Sequence, residues 1–445
     1  MLSDVINMNL PESFINRTKD IIPQYEGFVS CLDEANVRGI NVNTNKISIN
    51  DFVKLFPYKI SKIPYNANGF YLNEDFKIGS HPYHHAGLFY SQDPSAQAPI
   101  CGVDIHDDWK VLDMCASPGG KSIQIASKLK NGFLISNEYD KKRSQILYSN
   151  IERMGFDNVI VTNENSSNLN KAFSGYFDLV VIDAPCSGEG MFRKSDISIN
   201  EWSEKNIETC VSRQKEILDN ASSMVKKDGY ILYSTCTYEL DENENMIKWF
   251  TENYNYVVVA LNSSLNNYSV PGIGIPEARR FYPHISPGEG QFVCLLKNNN
   301  EIVEKNCFIS HKKPTNSEMK IINDFLKHID LDLEVYIINN KVYSSKCDKL
   351  NNLNVVSSGV QIGEVKHNYF IPNHNVFTAY GKYFKNKVNL NLDDNRVMKY
   401  LHGEEIQYDC ENGYGVLMVD GYPIGGFKAS NGNLKNHYPK GLRNN

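Results

Sequence analysis

Between residues 109 and 297 the sequence alternates short apolar runs with longer amphipathic stretches. The apolar runs are WKVLDMC, GFLISNE, NVIVTN, FDLVVIDA, GYILYST, YNYVVVAL and QFVCLLK. Stretches such as DKKRSQILYSNIERMG lie between them and have the spacing of surface helices. Short, near-continuous apolar strands separated by helices are typical of a parallel sheet that is covered on both faces. The pattern therefore predicts a doubly wound α/β domain.

The regions on either side have a different character. The first hundred residues combine one predicted helix, PESFINRTKDIIPQYEGFVSCL, with short strands and loops rich in Asn, Pro and Gly. The polar stretch LKNNNEIVEKN is typical of a linker, and mixed short strands follow it up to the basic, aromatic GYPIGGFKASNGNLKNHYPKGLR. We therefore expect three regions, at residues 1–100, 101–298 and 299–445.

Composition excludes several classes of protein. The 445 residues are 41% hydrophobic and 22% charged, which is ordinary for a globular chain, and no apolar stretch is long enough to span a bilayer. The N-terminus lacks a basic flank followed by an apolar run, so we expect a cytoplasmic protein without membrane contact. Ten cysteines without any CxxC spacing indicate free thiols and no metal site. The net charge of −6 gives no global sign of a nucleic-acid partner, although a local basic patch can still bind RNA.

The first predicted strand ends in a glycine-containing turn. In DMCASPGGKS, Asp113 ends the strand, Pro118, Gly119 and Gly120 form the turn, and a helix begins near Lys121. Ligands of open α/β sheets bind at the carboxyl ends of the strands, and the amides of a helix N-terminus favour an anion. The turn is neither GxGxxG nor GxxxxGK[ST], which disfavours a dinucleotide or P-loop nucleotide. A Gly-Gly turn can equally be a tight connection without a ligand.

The ends of the next two strands suggest a cofactor that contains ribose. Glu138 follows the second strand, where a carboxylate can accept hydrogen bonds from two ribose hydroxyls. A ribose-bearing cofactor without a pyrophosphate loop points to S-adenosylmethionine. Asn165 follows the third strand and could bond an adenine edge. Taken alone, Glu138 is as easily a solvated strand-end residue, and Asn165 a turn residue.

Two further strands each end beside a thiol. Cys186 lies in VVIDAPCSGEG and Cys236 in YILYSTCTYE. A buried cysteine often serves only as a small apolar packing residue, so one such cysteine alone would be weak evidence of a catalytic role. The two lie 50 residues apart, which fits neighbouring parallel strands joined by a helical crossover. We therefore expect both thiols at one edge of the same pocket.

These motifs resemble those of the NOL1/NOP2/Sun family of RNA cytosine-5 methyltransferases. The resemblance is carried by DMCASPGGKS, NEYD, VVIDAPCSGEGMFRK and YSTCTYELDENE, and it extends to HPYHHAGLFYSQDPSA, YPHISPGEGQFV and HYPKGLR. It is greatest with the bacterial small-subunit rRNA branch that has a C-terminal RNA-binding extension. It implies a Rossmann-like methyltransferase domain with a mostly parallel seven-stranded sheet, a small N-terminal α+β RNA-binding region and a C-terminal α+β PUA-like module. It further implies methyl transfer from S-adenosylmethionine to carbon 5 of a cytosine in 16S rRNA, by a protein that we expect to be monomeric.

The same resemblance assigns roles to individual residues. Cys236 would add to carbon 6 of the cytosine, and Cys186 would remove the carbon 5 proton so that the thiolate can leave. Asp183 would bond the amidine edge of the base, and Lys121 would face the cofactor loop and the base. The residues expected to bind cofactor are Cys115 (through its backbone), Ala116, Ser117, Pro118, Gly119, Gly120, Lys121, Glu138, Asn165 and Asp183.

Three features depart from the family pattern or leave alternatives open. Asn165 occupies the position where many members have an acid that holds adenine, so neutral hydrogen bonding must suffice. Asn41 occupies a position that is often arginine, which weakens the RNA contact expected from the N-terminal region. The histidines of HPYHHAG have no zinc-like partner spacing, so packing or RNA contact is favoured for them. They are His81, His84 and His85.

Cationic and aromatic residues are the candidates for an RNA surface, because Lys and Arg contact phosphates and aromatic rings stack on unpaired bases. They are Arg17, Lys46, Arg193, Lys194, Arg279, Arg280, Lys435, His437, Tyr438, Lys440 and Arg443.

Two other functions are alternatives to cytosine-5 methylation. Amino-group methylation would need no nucleophilic thiol, and a non-catalytic RNA-binding protein would be expected to lose one thiol or the cofactor loop.

Overall fold

The computed structural model describes residues 10–194, 196–306, 308–309, 313–338, 340–345, 349–350 and 352–444. The chain begins with two helices, Glu12–Ile21 and Tyr25–Leu32, where the sequence predicts one. The helix breaks because Pro23 between them has no N–H to donate, and Gln24 adopts a left-handed φ of 52°. The prediction of a single helix was therefore wrong.

A four-stranded antiparallel sheet follows in the N-terminal region. Its strands, in spatial order, are Ile60–Lys62, Gly69–Leu72, Arg38–Val42 and Phe89–Ser91. Helices accompany it at Ile49–Leu55, Pro82–His85 and Pro94–Cys101, with a 3₁₀ turn at Ile78–Ser80. Asn41 points into this region, where it is 2% exposed and accepts a hydrogen bond from Asn66. It therefore takes no part in an RNA-binding surface.

All seven apolar runs of the middle region form strands of one central sheet. In spatial order the strands of this sheet are Val270–Gly272, Ile275–Phe281, Gln291–Asn298, Val225–Thr235, Phe177–Asp183, Lys110–Asp113, Phe133–Asn137, Val159–Thr162 and Val355–Ser358, and Tyr256–Val259 also pairs with Gln291–Asn298. The five strands from Val225–Thr235 to Val159–Thr162 are parallel. The sheet has ten strands instead of seven because a hairpin extends one edge and a C-terminal strand pairs at the other.

Helices cover both faces of this sheet, as the sequence predicts. They are Gly120–Lys128, Lys141–Met154, Ser166–Ala172, Asp196–Glu201, Glu204–Ser222 and Glu244–Asn253, with 3₁₀ turns at Glu189–Met191 and Ser263–Tyr268. Adjacent strand residues face opposite sides: Leu112 belongs to one apolar cluster and Val111 to the other. Burial on both faces explains why the strands lack alternating polar residues.

In its described residues, the C-terminal region consists of short strands and three helices. The strands are Phe308–Ile309, Tyr336–Ile338, Lys341–Ser344, Lys349–Leu350, Val360–Lys366, Tyr369–Pro372, Lys387–Leu390, Ile406–Gln407, Gly413–Val419, Tyr422–Ser430 and Asn433–Asn436. The helices are Asn316–Leu326, His374–Tyr380 and Asn395–His402, with 3₁₀ turns at Gly381–Tyr383 and Lys440–Leu442. One apolar cluster joins this region to the N-terminal sheet, because Leu417 and Phe427 pack together with Ile40 and Phe52. Among the described residues, none of the helices has both the length and the apolar character needed to cross a bilayer.

Candidate functional site

Two thiols lie side by side at the carboxyl end of the central sheet. The strands Phe177–Asp183 and Val225–Thr235 are parallel neighbours, and Asp183 is opposite Ser234 in their register. Each strand continues into a loop that carries one cysteine. The Sγ atoms of Cys186 and Cys236 consequently lie 3.3 Å apart. The fold thus brings together the two cysteines that were expected to share one pocket.

Hydrogen bonds between the two loops fix this arrangement. The hydroxyls of Ser187 and Thr237, each directly after a cysteine, lie 2.8 Å apart. The amide of Gly190 donates to the carbonyl of Cys236 over 2.9 Å. Since both bonds join one thiol loop to the other, the short distance between the sulfurs is a property of two braced loops.

A buried carboxylate supports the Cys186 loop from the side. Glu242 is fully buried and accepts hydrogen bonds from the amide of Ser187 at 3.1 Å and from Gln214 Nε2 at 2.7 Å. The same Gln214 Nε2 donates to the carbonyl of Pro185 over 3.0 Å. Both neighbours of Cys186 are therefore held by one Glu–Gln pair. Sequence reasoning missed this pair, although Glu242 lies in the quoted YSTCTYELDENE, because an acidic run at a helix start resembles a solvated segment.

The environment also affects the acidity of the Cys186 thiol. The adjacent Cys236 sulfur and then burial raise the pKa of Cys186 well above its ordinary value, and nearby Glu242 acts in the same direction. Cys186 therefore keeps its proton in the presence of Cys236. A protonated Cys186 can donate a hydrogen bond to a Cys236 thiolate.

A lysine and an aspartate form an ion pair next to the thiols. Lys121, in the first turn of the helix Gly120–Lys128, places Nζ 2.8 Å from Asp183 Oδ2. The hydroxyl of Ser234 donates to Asp183 Oδ1 over 2.7 Å. Lys121 is buried, whereas the Asp183 side chain is 35% exposed, so the carboxylate is the more accessible partner. An accessible carboxylate with two fixed donors is suited to bonding the edge of a base.

The loop from Cys115 to Lys121 connects the first parallel strand to its helix. Gly119 has a φ of 117°, which favours glycine, and a Cβ there would lie 3.1 Å from Leu147. Ser117 exchanges two hydrogen bonds with Arg143: Ser117 Oγ donates to the Arg143 carbonyl, and Arg143 Nη2 donates to the Ser117 carbonyl. Ala116, also in this loop, is buried, and Pro118 is exposed. The loop is thus tightly held, with the helix N-terminus starting at Gly120.

Two titratable groups at the start of this loop, the partly buried Cys115 thiol and the fully buried Asp113 carboxyl group, have raised pKa values. Burial raises the pKa of the Cys115 thiol, so it stays protonated and unreactive. Asp113 is fully buried, and burial raises its pKa to about 7 despite a 2.6 Å hydrogen bond from Ser122 Oγ. Its second oxygen, Oδ1, has no partner among the described residues. Such an unpaired buried oxygen at a strand end is an acceptor for a ligand donor.

Glu138 and Asn165 follow the two strands next to this loop. Glu138 is buried, and its Oε1 accepts the amide of Asp140 at 2.9 Å while Oε2 lies 3.6 Å from Arg143. Asn165 is exposed and caps the helix Ser166–Ala172 by accepting the amide of Asn168 at 2.8 Å. The capping role agrees with the alternative of a turn residue. The contact of Glu138 with ribose and the contact of Asn165 with adenine both remain predictions.

Several of the cations proposed for the RNA surface bind acids or carbonyls inside the protein. Arg17 pairs with Glu189 and Glu239. Buried Arg280 binds both oxygens of Glu244. The assignment of Arg280 to an RNA surface was wrong, and Arg17 is occupied by two acids, because local charge in the sequence does not reveal intramolecular partners.

Four further candidates are also occupied within the fold. Lys46 is partly buried and donates to the Ala86 carbonyl over 2.8 Å. Lys194 Nζ lies 2.5 Å from Asp93, and the Arg193 side chain is 5% exposed. Tyr438 is buried in the cluster that joins the two terminal regions. The remaining candidates also have exposed or partly exposed side chains; they are Arg279, Lys435, His437, Lys440 and Arg443.

The three histidines of HPYHHAG are packing residues in the structure. His81 Nδ1 accepts the amide of Tyr83 at 3.1 Å, and His85 Nδ1 lies 2.6 Å from the Tyr438 hydroxyl. Burial lowers the pKa of His81 and His85 to about 4, and that of His84 to about 2. They are therefore neutral near pH 7. Within the described part of the chain, no group of three His, Cys, Asp or Glu side chains is placed to hold a metal ion.

Comparison with known families matches three parts of the chain. Residues 101–297 match the family described as 16S rRNA methyltransferase RsmB/F. Residues 10–94 match the N-terminal domain of 16S rRNA methyltransferase RsmF, and residues 387–444 match the methyltransferase RsmF PUA domain. The three matches follow the order of the chain without overlap.

Similar proteins and structures agree with these matches. Ribosomal RNA small subunit methyltransferase F of Enterobacter sp. is 32% identical over 301 residues, or 64% of this chain and 63% of the relative. The protein of the same name from Pectobacterium atrosepticum is 34% identical over 54% of this chain and 52% of its own length. The aligned part thus spans less than two thirds of these relatives.

A methyltransferase homolog protein from Pyrococcus horikoshii superimposes with a TM-score of 0.59 at 27% identity, over 67% of this chain and 98% of that chain. NSun6 from the same organism, solved with SFG, has the same fold at a TM-score of 0.56, with 21% identity over 65% of this chain and 99% of that chain.

The fold, the paired thiols and the three matched regions lead to one assignment. The chain belongs to the RsmB/F family of 16S rRNA methyltransferases, within the NOL1/NOP2/Sun group.

Proposed function

We propose that this protein transfers a methyl group from S-adenosylmethionine to carbon 5 of a cytosine in 16S rRNA through a covalent enzyme–base adduct. The observation that carries the proposal is the 3.3 Å distance between the Cys186 and Cys236 sulfurs at the carboxyl ends of neighbouring strands. A reaction that needs a nucleophile and then a base at one cytosine ring requires two such groups close together. Amino-group methylation would need neither thiol.

The two thiols compensate for the low nucleophilicity of carbon 5 of cytosine. Carbon 5 of cytosine is a poor nucleophile, so the Cys236 thiolate first adds to carbon 6, and the electron pair of the 5,6 double bond becomes available at carbon 5. Once the Cys236 sulfur is bonded to carbon 6 it no longer raises the pKa of Cys186, which gives its proton to water and, as its thiolate, removes the proton from carbon 5 after methylation. The electrons of that C–H bond restore the double bond, and the bond between carbon 6 and Cys236 breaks. The family resemblance of the TC and PC motifs supports this division of roles.

The ion pair beside the thiols suits the edge of the base. The Asp183 carboxylate can accept a hydrogen bond from the amino group of cytosine, since its side chain is 35% exposed. A proton shared between Asp183 and N3 of the base stabilises the adduct as negative charge moves into the ring. Lys121 and Ser234 hold the two oxygens of Asp183 and so fix its direction.

The residues at the adjacent strand ends fit S-adenosylmethionine. The loop from Cys115 to Gly120 offers a glycine where a side chain would be strained, and the buried Asp113 Oδ1 lacks a partner among the described residues. Glu138 would hold the ribose hydroxyls, and Asn165 would contact the adenine. When bound, the cofactor supplies the methyl group as an electrophile on a sulfonium. The chain's own part is to hold this group against the pocket that contains Cys186 and Cys236.

The substrate follows from the C-terminal region and the pocket. A base must leave its stack to reach two thiols inside a protein, so we expect an unpaired or flipped-out cytosine. The PUA region with exposed Lys435 and Lys440 would contact the rRNA backbone. We propose functional divisions at residues 1–100, 101–298 and 299–445, a monomeric enzyme, and the cytoplasmic location that an rRNA substrate implies.

Mass spectrometry of rRNA tests the proposed function directly. Small-subunit rRNA from cells with and without the gene is digested and compared for 5-methylcytosine. We expect one or more 5-methylcytosines to be missing without the gene, to return with the wild-type gene, and to stay missing with the Cys236→Ala gene. Identical modification in all strains would overturn the proposal.

A further inference from the structure

One arginine of the N-terminal helix joins the two thiol loops. Arg17 donates from Nη2 to Glu189 and pairs through Nη1 with Glu239. Glu189 lies three residues after Cys186, and Glu239 lies three residues after Cys236. A single planar guanidinium therefore binds the equivalent position of both loops.

Glu189 strengthens this connection with two further hydrogen bonds. Its side chain is fully buried, and it accepts Trp202 Nε1 at 2.9 Å and the amide of Tyr238 at 3.2 Å. Tyr238 belongs to the Cys236 loop, so Glu189 itself reaches from one thiol loop to the other. The Arg17 side chain is 26% exposed, and its guanidinium lies 5.8 Å from the centre of the Trp202 ring.

The apolar contacts of the N-terminal helices follow the same pattern. Phe14, one turn before Arg17, packs edge-on against Phe192 at 5.1 Å, and Phe192 follows the Cys186 loop. Phe28, in the second helix, packs edge-on against Tyr238 at 5.4 Å. Each helix thus packs on one thiol loop, and Arg17 crosses between them.

We infer that Arg17 is a positioning residue that sets the distance and orientation of the Cys186 and Cys236 thiols relative to each other. The N-terminal helix pair thus supports catalysis without touching the substrate. The inference rests on the proposed function, because only a two-thiol reaction requires this relation. Arginine suits the task since its rigid fork binds two carboxylates at once, whereas lysine offers one compact charge. Without Arg17, the buried Glu189 would lose a charge partner and the two loops would lose their common anchor.

The first test measures the thiols without RNA. The full-length protein is treated with diamide, which oxidises two neighbouring thiols to a disulfide and is itself reduced to the hydrazine. The rate of forming the peptide pair linked through Cys186 and Cys236 is followed by mass spectrometry. Because small misplacements of reacting groups have large effects on rate, we expect Arg17→Gln to slow this link about tenfold, and Arg17→Lys to slow it less.

The second test measures turnover on rRNA with the same proteins. We expect Arg17→Gln to lower kcat about tenfold while the KM for S-adenosylmethionine stays unchanged, because Arg17 bonds the thiol loops and not the cofactor loop. Glu239→Gln removes one arm of the anchor and should give a smaller decrease in both measurements, even if Arg17→Gln folds poorly. Arg38→Gln is the matched control, since it removes an N-terminal arginine whose partner, Asp75, is 95% exposed.

The two tests separate this inference from the proposed function. Unchanged linking and unchanged kcat in folded Arg17→Gln and Glu239→Gln would overturn the positioning role. A decrease in kcat that Arg38→Gln shares, with linking unaffected, would also overturn it. If wild-type protein shows no methylation of rRNA although linking depends on Arg17, the proposed function fails while the anchor stands.

Discussion

Cys186 Sγ lies 3.3 Å from Cys236 Sγ, although the two residues follow different strands and are 50 positions apart in the chain. The parallel register of the strands Phe177–Asp183 and Val225–Thr235 brings the loops together, and the bond between Ser187 and Thr237 holds them. Two adjacent thiols can perform two successive steps on one ring. Removing Cys186 should therefore have a different effect on the reaction from removing Cys236.

The Cys186→Ala protein should become trapped on its substrate. It keeps the proposed nucleophile, so it should form the adduct and allow methylation, but it lacks the base that permits elimination. With purified rRNA and S-adenosylmethionine we expect a protein–RNA complex that survives denaturing electrophoresis. Cys236→Ala should give neither this complex nor methylated product, because it cannot form the bond to carbon 6.

The double variant and a distant cysteine serve as controls for the trap. Cys186→Ala/Cys236→Ala should form no stable complex, and Cys294→Ala, which lies in the core of the sheet, should behave as wild type in this assay. A trapped complex with Cys236→Ala alone would reverse the two roles. Full turnover in both single variants would exclude the two-thiol mechanism.

Glu138→Gln should weaken binding of S-adenosylmethionine without unfolding the protein. Glutamine is preferable to alanine, because Glu138 Oε1 also accepts the amide of Asp140 and the amide oxygen of glutamine can keep that bond. Hydrogen bonds to a charged group contribute roughly 1.5–3 kcal/mol, so we expect an affinity about tenfold lower or more by calorimetry. Asp140→Asn, which changes the neighbouring helix cap, should bind cofactor normally. Equal affinities of Glu138→Gln and wild type would remove Glu138 from the cofactor site.

Replacing two exposed lysines of the C-terminal region should weaken rRNA binding. Truncation is unsuitable as a test, since Leu434 and Tyr438 are buried and their loss would damage the fold. Lys435→Ala/Lys440→Ala should lower the slope of log K against log salt by about 0.7 to 0.9 for each phosphate that the protein no longer neutralises. The control Lys227→Ala/Lys297→Ala removes the same charge from two strands of the central sheet. An equal decrease in both double variants would indicate a general charge effect and no C-terminal binding of RNA.

The sequence predicted the catalytic domain well because its signals are local. Each apolar run such as FDLVVIDA is one strand, and the residues at strand ends could be placed at one edge of the sheet without knowing any side-chain contact. The paired thiols followed from the same rule.

The RNA surface was poorly predicted because charge alone does not specify a partner. Arg17 and Arg280 are cations in the sequence, but Glu189 and Glu244 bind them in the fold, and these acids lie 172 and 36 positions away. The added strand Val355–Ser358 was missed for a similar reason, since its pairing with Val159–Thr162 is long-range. Contacts of this kind depend on how the regions dock.

Glu242 provides a link between pH and stability that can be measured. It is fully buried, and burial raises its pKa from 4.5 to about 7, while the hydrogen bonds from Ser187 and Gln214 act in the opposite direction. In the unfolded chain the carboxyl group loses its proton near pH 4.5, whereas the folded protein retains it until about pH 7. The folded state therefore binds more protons between these values. The contribution of Glu242 to stability is present below the unfolded pKa and is lost as the pH rises through the folded pKa.

Glu242→Gln should remove this pH dependence, because glutamine resembles the protonated side chain at every pH. Relative to wild type, the free energy of unfolding of the variant should rise by about 2 kcal/mol between pH 5 and pH 8. Urea denaturation at several pH values measures this difference. An altered hydrogen bond with Gln214 would change the free energy of unfolding of the variant by the same amount at every pH, so it does not affect the change between pH 5 and pH 8. The control Glu204→Gln, at the exposed start of the helix Glu204–Ser222, should run parallel to wild type. Parallel curves for Glu242→Gln as well would show that Glu242 is ionised in the folded protein across this range, so that the Cys186 loop is held by a permanent carboxylate.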